Sequence, residues 1–182
     1  MPARPQPTPL SPGSPAPDFT LTDVISGSTV TLSASLATLG RGVVLNFWSV
    51  ECPWTRYYDD YFVERAAEWR ELGVALLLVD SNSSEHPDEM RDMADVLGLS
   101  GPILADPASA VADAYGAITT PHLFVVQPDG LIIYQGAVDD RSFRQPEPTV
   151  NYLDAAVEAL LAGQVPQVSQ TPAYGCTIVR GG

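Results

Sequence analysis

The stretch Val43-Val44-Leu45-Asn46-Phe47-Trp48-Ser49-Val50-Glu51-Cys52-Pro53 decides how the chain is read. Its first six residues form a largely apolar run, β-branched at its start, the pattern of a strand buried on both faces. Pro53 then stands where a helix can begin, because the first helical position has no use for a backbone N–H. Beyond it Tyr58, Phe62, Ala66 and Trp69 recur at helical spacing and fall on one stripe. Gly73 ends that helix, and residues 74–79 form a second apolar run of strand length. Strand, helix, strand implies that the two strands pair in parallel.

The same reading extends outward. Residues 18–32 alternate apolar and polar side chains around Ser26-Gly27, which predicts a hairpin at a sheet edge. His86-Pro87 and Asp106-Pro107 mark helix starts, followed by Met90, Met93 and Leu97 and by Val111, Ala114 and Tyr115, with Pro102-Ile103-Leu104 between them. Residues 123–126 and 131–134 flank Pro128-Asp129-Gly130, a turn joining antiparallel strands. A closing helix carries Val150, Leu153, Val157, Leu160 and Leu161 and stops at Gly163. The expected organisation is a disordered proline-rich tail over residues 1–15, one α/β domain over 16–163 with a central mixed sheet flanked by helices, and a loop-like tail over 164–182 bearing Cys176.

Composition narrows the function. With 22 acidic against 9 basic residues the net charge is −13, which repels nucleic acid and anionic membranes. Every basic residue is an arginine, so Schiff-base lysines and phosphate-loop lysines are excluded. No apolar run reaches the roughly 18 to 20 residues of a membrane span. The start has no apolar segment of the signal-peptide kind. With only two cysteines in 182 residues, a disulfide-stapled scaffold is excluded and a cytoplasmic setting is expected.

Cys52 falls between the buried strand and the helix opened by Pro53, beside unpaired N–H groups at the positive end of a helix dipole. That position favours the thiolate, the form that attacks disulfides and peroxides. Arg56, one turn on, can add positive charge. The competing readings are a small apolar core residue for Cys52 and a solvated surface charge for Arg56.

Several segments carry a family likeness: residues 16–21 (Ala-Pro-Asp-Phe-Thr-Leu), Asn46-Phe47-Trp48, the Ser49 to Pro53 turn, Thr120-Pro121 and Pro128-Asp129-Gly130. In this order they resemble the redoxin branch of the thioredoxin superfamily, which includes the peroxiredoxins. A peroxiredoxin-like subgroup is matched further by Val79-Asp80-Ser81-Asn82, by residues 136–140 and by Gly175-Cys176-Thr177-Ile178. The resemblance implies a thioredoxin-like fold and a thiol-based antioxidant oxidoreductase without cofactor or metal. It also implies that Cys52 is the peroxidatic cysteine, that Ser49 stands for the threonine positioning the peroxide, and that Thr120-Pro121 is the cis-proline loop facing the thiol. Cys176, 124 residues beyond Cys52, then matches a resolving cysteine.

Departures from the family pattern are equally informative. Thr55 occupies the place of the second cysteine of a Cys-x-x-Cys pair, and no arginine stands in Thr120-Pro121-His122. The expected reaction is reduction of hydroperoxides by Cys52 with an external thiol as reductant. The alternatives are thiol–disulfide exchange, a redox-inactive binding module, and a metal site from Cys52, His122 and Cys176, which lacks short ligand spacing. Cys176 can equally be a tail residue without a role. His122 is read as a structural histidine, His86 as a helix-start residue, Asp139 and Asp140 as turn-setting, and Trp54 as packing or a contact surface. A monomer or weak homodimer is expected.

Overall fold

The computed structural model describes residues 7–99 and 101–181. Along the chain run β1 (Thr20–Asp23), β2 (Thr29–Thr31), α1 (Leu32–Leu39), β3 (Gly42–Trp48), α2 (Pro53–Tyr57), α3 (Asp59–Glu71) and β4 (Val74–Asp80). There follow α4 (Pro87–Leu97), β5 (Ile103–Ala105), α5 (Ala110–Tyr115), β6 (Thr119–Thr120), β7 (His122–Val126), β8 (Ile132–Gly136), α6 (Tyr152–Leu161) and β9 (Cys176–Thr177).

Seven strands make one mixed sheet in the order β2-β1-β5-β4-β3-β7-β8. Every residue of β3 is buried, as a central strand requires. It pairs in parallel with β4, from Gly42↔Val74 to Trp48↔Asp80, and antiparallel with β7. Alternate side chains feed two cores. Val44, Trp48, Leu76 and Leu78 pack under α3, α4 and α6 with Phe62, Trp69, Met90 and Leu153. Val43, Leu45, Phe47 and Val79 meet Leu32, Val111, Ala112 and Tyr115 of α1 and α5 on the opposite face. This is the thioredoxin-like architecture, with the β1–β2 hairpin extending one edge.

Several local expectations change. The helix after Cys52 is two helices, α2 and α3, interrupted at Tyr58, whose φ of −100° and ψ of 4° leave the helical range. The expected stripe still holds, with Tyr58, Phe62 and Trp69 buried. Helix α5 begins at Ala110 rather than beside Pro107, because the Asp106 carboxylate accepts the N–H groups of Ala110, Val111 and Ala112. Its buried alanine is therefore Ala112, and Ala114 is exposed. Val150 precedes α6 and is exposed, since Asn151 caps that helix by accepting the Asp154 N–H. Helix α1, capped by the Thr31 hydroxyl, carried no proline or glycine start signal.

Both tails are tied to the body. The expected disorder over 1–15 does not hold from residue 7 onward. Leu10 N–H donates to the Tyr115 carbonyl at 3.0 Å, Gly13 N–H donates to that of Ile132 at 2.7 Å, and Pro15 bridges Leu131. The donors of these ties, Leu10 and Gly13, lie between the prolines, so the proline-rich segment keeps the N–H groups it needs to lie against the sheet. Residues 1–6 of that expectation lie outside the described residues. The C-terminal tail is likewise no free loop: Gln170 bridges Gln135, β9 pairs with β6, and Ile178 is buried.

Candidate active site

Parallel pairing of β3 and β4 brings their C-terminal ends side by side, so the segments after Trp48 and after Asp80 meet at one end of the sheet. There Ser49 to Glu51 turn the chain into α2, with Cys52 as its N-cap residue and Pro53 at the first helical position. The Cys52 N–H donates to Ser49 Oγ at 3.1 Å.

Cys52 and Cys176 are joined as a disulfide, their Cα atoms 6.0 Å apart. The tail delivers Cys176 by strand pairing: Thr120 and Cys176 are register partners in the β6–β9 pair, and Thr119 faces Thr177. The peptide between Thr120 and Pro121 is cis, and the Thr120 carbonyl oxygen lies 3.1 Å from Cys52 Sγ. Gly175 makes the approach possible, because a Cβ there would stand 2.1 Å from the Thr120 carbonyl oxygen. The tail is held on both sides of Cys176. Thr171 N–H donates to the Gln135 carbonyl, and Ile178 N–H to that of Ile118. The Val179 N–H donates to Asn82 Oδ1, and Arg180 bonds Asp113 and the Ala117 carbonyl. Trp54, two residues after Cys52, packs edge-to-face on Tyr174, two residues before Cys176, at 4.9 Å between centroids, and on Phe143 at 5.2 Å.

Arg56 is turned away from the role of a thiolate counter-charge. Its guanidinium donates to the carbonyls of Val50 and Ser49 at 3.0 and 3.1 Å, pairs with Asp59 and lies 4.7 Å over the Trp48 ring. Burial lowers its pKa, opposed first by the charge of Asp59 and then by that of Glu85. Burial in turn raises that of Asp59, with Arg56 opposing. Arg56 is thus a clamp on the carbonyl side of the turn.

The N–H side of the turn is held by Glu85, which the sequence reading passed over. Its carboxylate accepts Ser49 Oγ–H, the Val50 N–H and, at 3.5 Å, the Glu51 N–H. Ser49 Oγ, engaged by Glu85 and by the Cys52 N–H, is already committed and differs from the peroxide-positioning hydroxyl implied by the resemblance. Asp80, fully buried behind Glu85, has its pKa pushed up to about 9, by burial first and then by Glu85. The signal for Glu85 lay in the parallel strands, since these put the segments following both at one sheet end.

The remaining candidates are structural. His122 is fully buried, accepts the Ile118 N–H at Nδ1, bonds Gln135 Oε1 through Nε2 at 2.9 Å and stacks on Phe124. Burial lowers its pKa to about 4, so it is neutral. Asp139 accepts the Tyr58 hydroxyl at 2.7 Å and the Arg141 N–H. Asp140 gathers the Thr149 hydroxyl and the N–H groups of Thr149 and Val150. Among the described residues no group of three or more metal-ligating side chains is present, and no helix is long and apolar enough to cross a membrane.

Comparison with known proteins adds to this geometry. The AhpC/TSA family matches residues 12–135. The chain is 29% identical over 124 residues to the thiol-disulfide oxidoreductase ResA of Bacillus subtilis (strain 168), covering 68% of this chain and 66%, just under two thirds, of that one. It is 31% identical over 140 residues to the protein of the same name from Geobacillus thermodenitrificans (strain NG80-2), covering 76% and 77% of the two chains. Its fold matches that of a hypothetical protein from Sinorhizobium meliloti 1021 with a TM-score of 0.86 and 27% identity, over 96% of this chain and 97% of that one.

Proposed function

The chain belongs to the AhpC/TSA family, and from that premise we propose that it is a thiol–disulfide oxidoreductase cycling between the Cys52–Cys176 disulfide and a dithiol. The observation that carries this reading is the pairing of the two cysteines, delivered by β9 to the loop that also faces Cys52. A dithiol is thereby rebuilt from distant parts of one chain, with Thr55 where a neighbouring cysteine would stand. Curated relatives named for thiol–disulfide exchange support the same activity. Peroxide reduction is the weaker reading: Ser49 is engaged by Glu85, Arg56 faces backbone carbonyls, and no arginine replaces it from Thr120-Pro121-His122.

Access sets the order of steps. Cys52 is 3% exposed, whereas Cys176 is only partly buried. A thiolate of the partner attacks Cys176 Sγ, the sulfur–sulfur bond breaks, and the electron pair leaves on the Cys52 sulfur at the start of α2. The partner's second thiolate then attacks its own sulfur in the mixed disulfide. It departs oxidised, and the Cys176 thiolate takes a proton from water. Run in reverse, the dithiol reduces a substrate disulfide. Once protonated, Cys52 can donate to the Thr120 carbonyl oxygen 3.1 Å away. Both sulfurs come from one chain, so the cycle needs no second subunit.

The test compares oxidants on the reduced protein at equal concentration, with intact mass as readout. A protein disulfide should form the Cys52–Cys176 bond faster than hydrogen peroxide does. Faster oxidation by peroxide would restore the peroxidase reading.

A further inference from the structure

Arg56 and Glu85 grip the turn that presents Cys52 from opposite sides, one through its carbonyls and the other through its N–H groups and Ser49 Oγ. Glu85 is itself buried, and a second buried carboxyl, Asp80, stands behind it. The two differ in their partners. Glu85 spends both oxygens accepting hydrogen bonds, as an ionised carboxylate does. Asp80 Oδ1 accepts the backbone and side-chain N–H groups of Asn82 at 2.9 and 3.1 Å, whereas its buried Oδ2 has no donor among the described residues. A buried oxygen without a donor is satisfied by carrying a proton itself.

We propose that Glu85 is a positioning residue for Cys52, its charge fixing the Ser49–Glu51 turn and disfavouring negative charge on the sulfur, and that Asp80 is the protonated neighbour that lets Glu85 stay ionised. The inference rests on reading Cys52 as a reactive thiol and names what regulates it. Two like charges side by side in a buried site do not both persist, so one carboxyl keeps its proton. Three donors fix the charge on Glu85. The high pKa of Asp80, about 9, agrees with this division. The other charges facing the pair are the Arg56 guanidinium from α2, itself tied to Asp59 of α3.

Two isosteric neutralisations separate the roles. The full-length reduced protein, Glu85→Gln and Asp80→Asn are alkylated across a pH series, and modification of Cys52 is read by peptide mass. Glu85→Gln should lower the pH midpoint of Cys52 alkylation by roughly half a unit to one unit, a threefold to tenfold gain in thiolate below the midpoint. Asp80→Asn should leave the midpoint in place, because it replaces a neutral acid by a neutral amide. No shift in either, equal shifts in both, or a shift in Asp80→Asn alone overturns the proposal. If Glu85→Gln does not fold, the wild-type Asp80 carboxyl carbon resonance decides: titration above the ordinary carboxylate range supports the assignment, and titration within that range overturns it. Alkylation reads the sulfur without any substrate. A wild type that fails to exchange with disulfides therefore sinks the proposed activity, and a flat comparison of variants sinks this inference.

Discussion

Thr120 and Cys176 are register partners in the β6–β9 pair, and the carbonyl of the same Thr120 lies 3.1 Å from Cys52 Sγ. One residue therefore sets the approach of both sulfurs. Whatever displaces β9 from β6 acts on the redox pair without touching either cysteine.

Gly175→Ala should do this. The added Cβ would stand 2.1 Å from the Thr120 carbonyl oxygen, a backbone atom that cannot rotate away. Overpacking of this kind costs about 1 to 3 kcal/mol. The equilibrium between disulfide and dithiol against a glutathione buffer should shift towards the dithiol by roughly fivefold to a hundredfold. Gly101→Ala, whose Cβ would lie 3.8 Å from its nearest neighbour, is the control and should leave the equilibrium unchanged.

Reduction should also cost stability. The Cys52–Cys176 bond closes a loop with a sequence separation of 124, and loops of that size restrict the unfolded chain by up to about 4 to 5 kcal/mol in the chain-entropy account. The oxidised protein should exceed the reduced one, and Cys176→Ser, by about 2 to 4 kcal/mol in denaturant unfolding. Equal midpoints for oxidised and reduced protein would show that the tail ties alone hold the chain end.

Acid should weaken the fold through His122. Its folded-state pKa of about 4 lies below the ordinary 6.5, so the unfolded chain binds the proton first. Stability is full above about pH 6.5 and falls as pH drops from there to about 4, by on the order of 3 kcal/mol. Unfolding curves across that window for wild type and His122→Gln check this. The variant lacks the titrating group and should show a shallower loss.

The sheet was legible from the sequence because β3 and β4 are nearly continuous apolar runs, and because Pro53 and the Pro128-Asp129-Gly130 turn punctuate the chain without ambiguity. The break at Tyr58 was not legible, since no proline or glycine marks it and the Tyr58 side chain is engaged by Asp139, 81 residues away. Arg56 was placed one turn from Cys52 correctly, but its partners are backbone carbonyls, which no side-chain pattern reveals. Cys176 could be matched by spacing, whereas the pairing that delivers it depends on Gly175, whose need is visible only against Thr120. Glu85 carries no motif, although parallel pairing of β3 with β4 already placed its segment near the cysteine turn.

The order of attack is open to direct measurement. In the oxidised chain Cys52 is 3% exposed and shielded by the tail, while Cys176 is partly exposed beside Trp54 and Tyr174. Incoming thiolates react at the sulfur they can reach and expel the better leaving group. Once Cys176 is attacked, Cys52 is the sulfur that leaves. Oxidised protein mixed briefly with excess glutathione, quenched by alkylation and digested should therefore carry glutathione on Cys176 and the alkyl group on Cys52. Cys52→Ser has a single thiol and should form a mixed disulfide on Cys176 only when given oxidised glutathione, and after removal of free glutathione that bond should persist, because no second thiol remains in the chain to displace it. Glutathione recovered mainly on Cys52 would mean that β9 detaches before exchange, and that the tail acts as a gate rather than as a fixed carrier of the second sulfur.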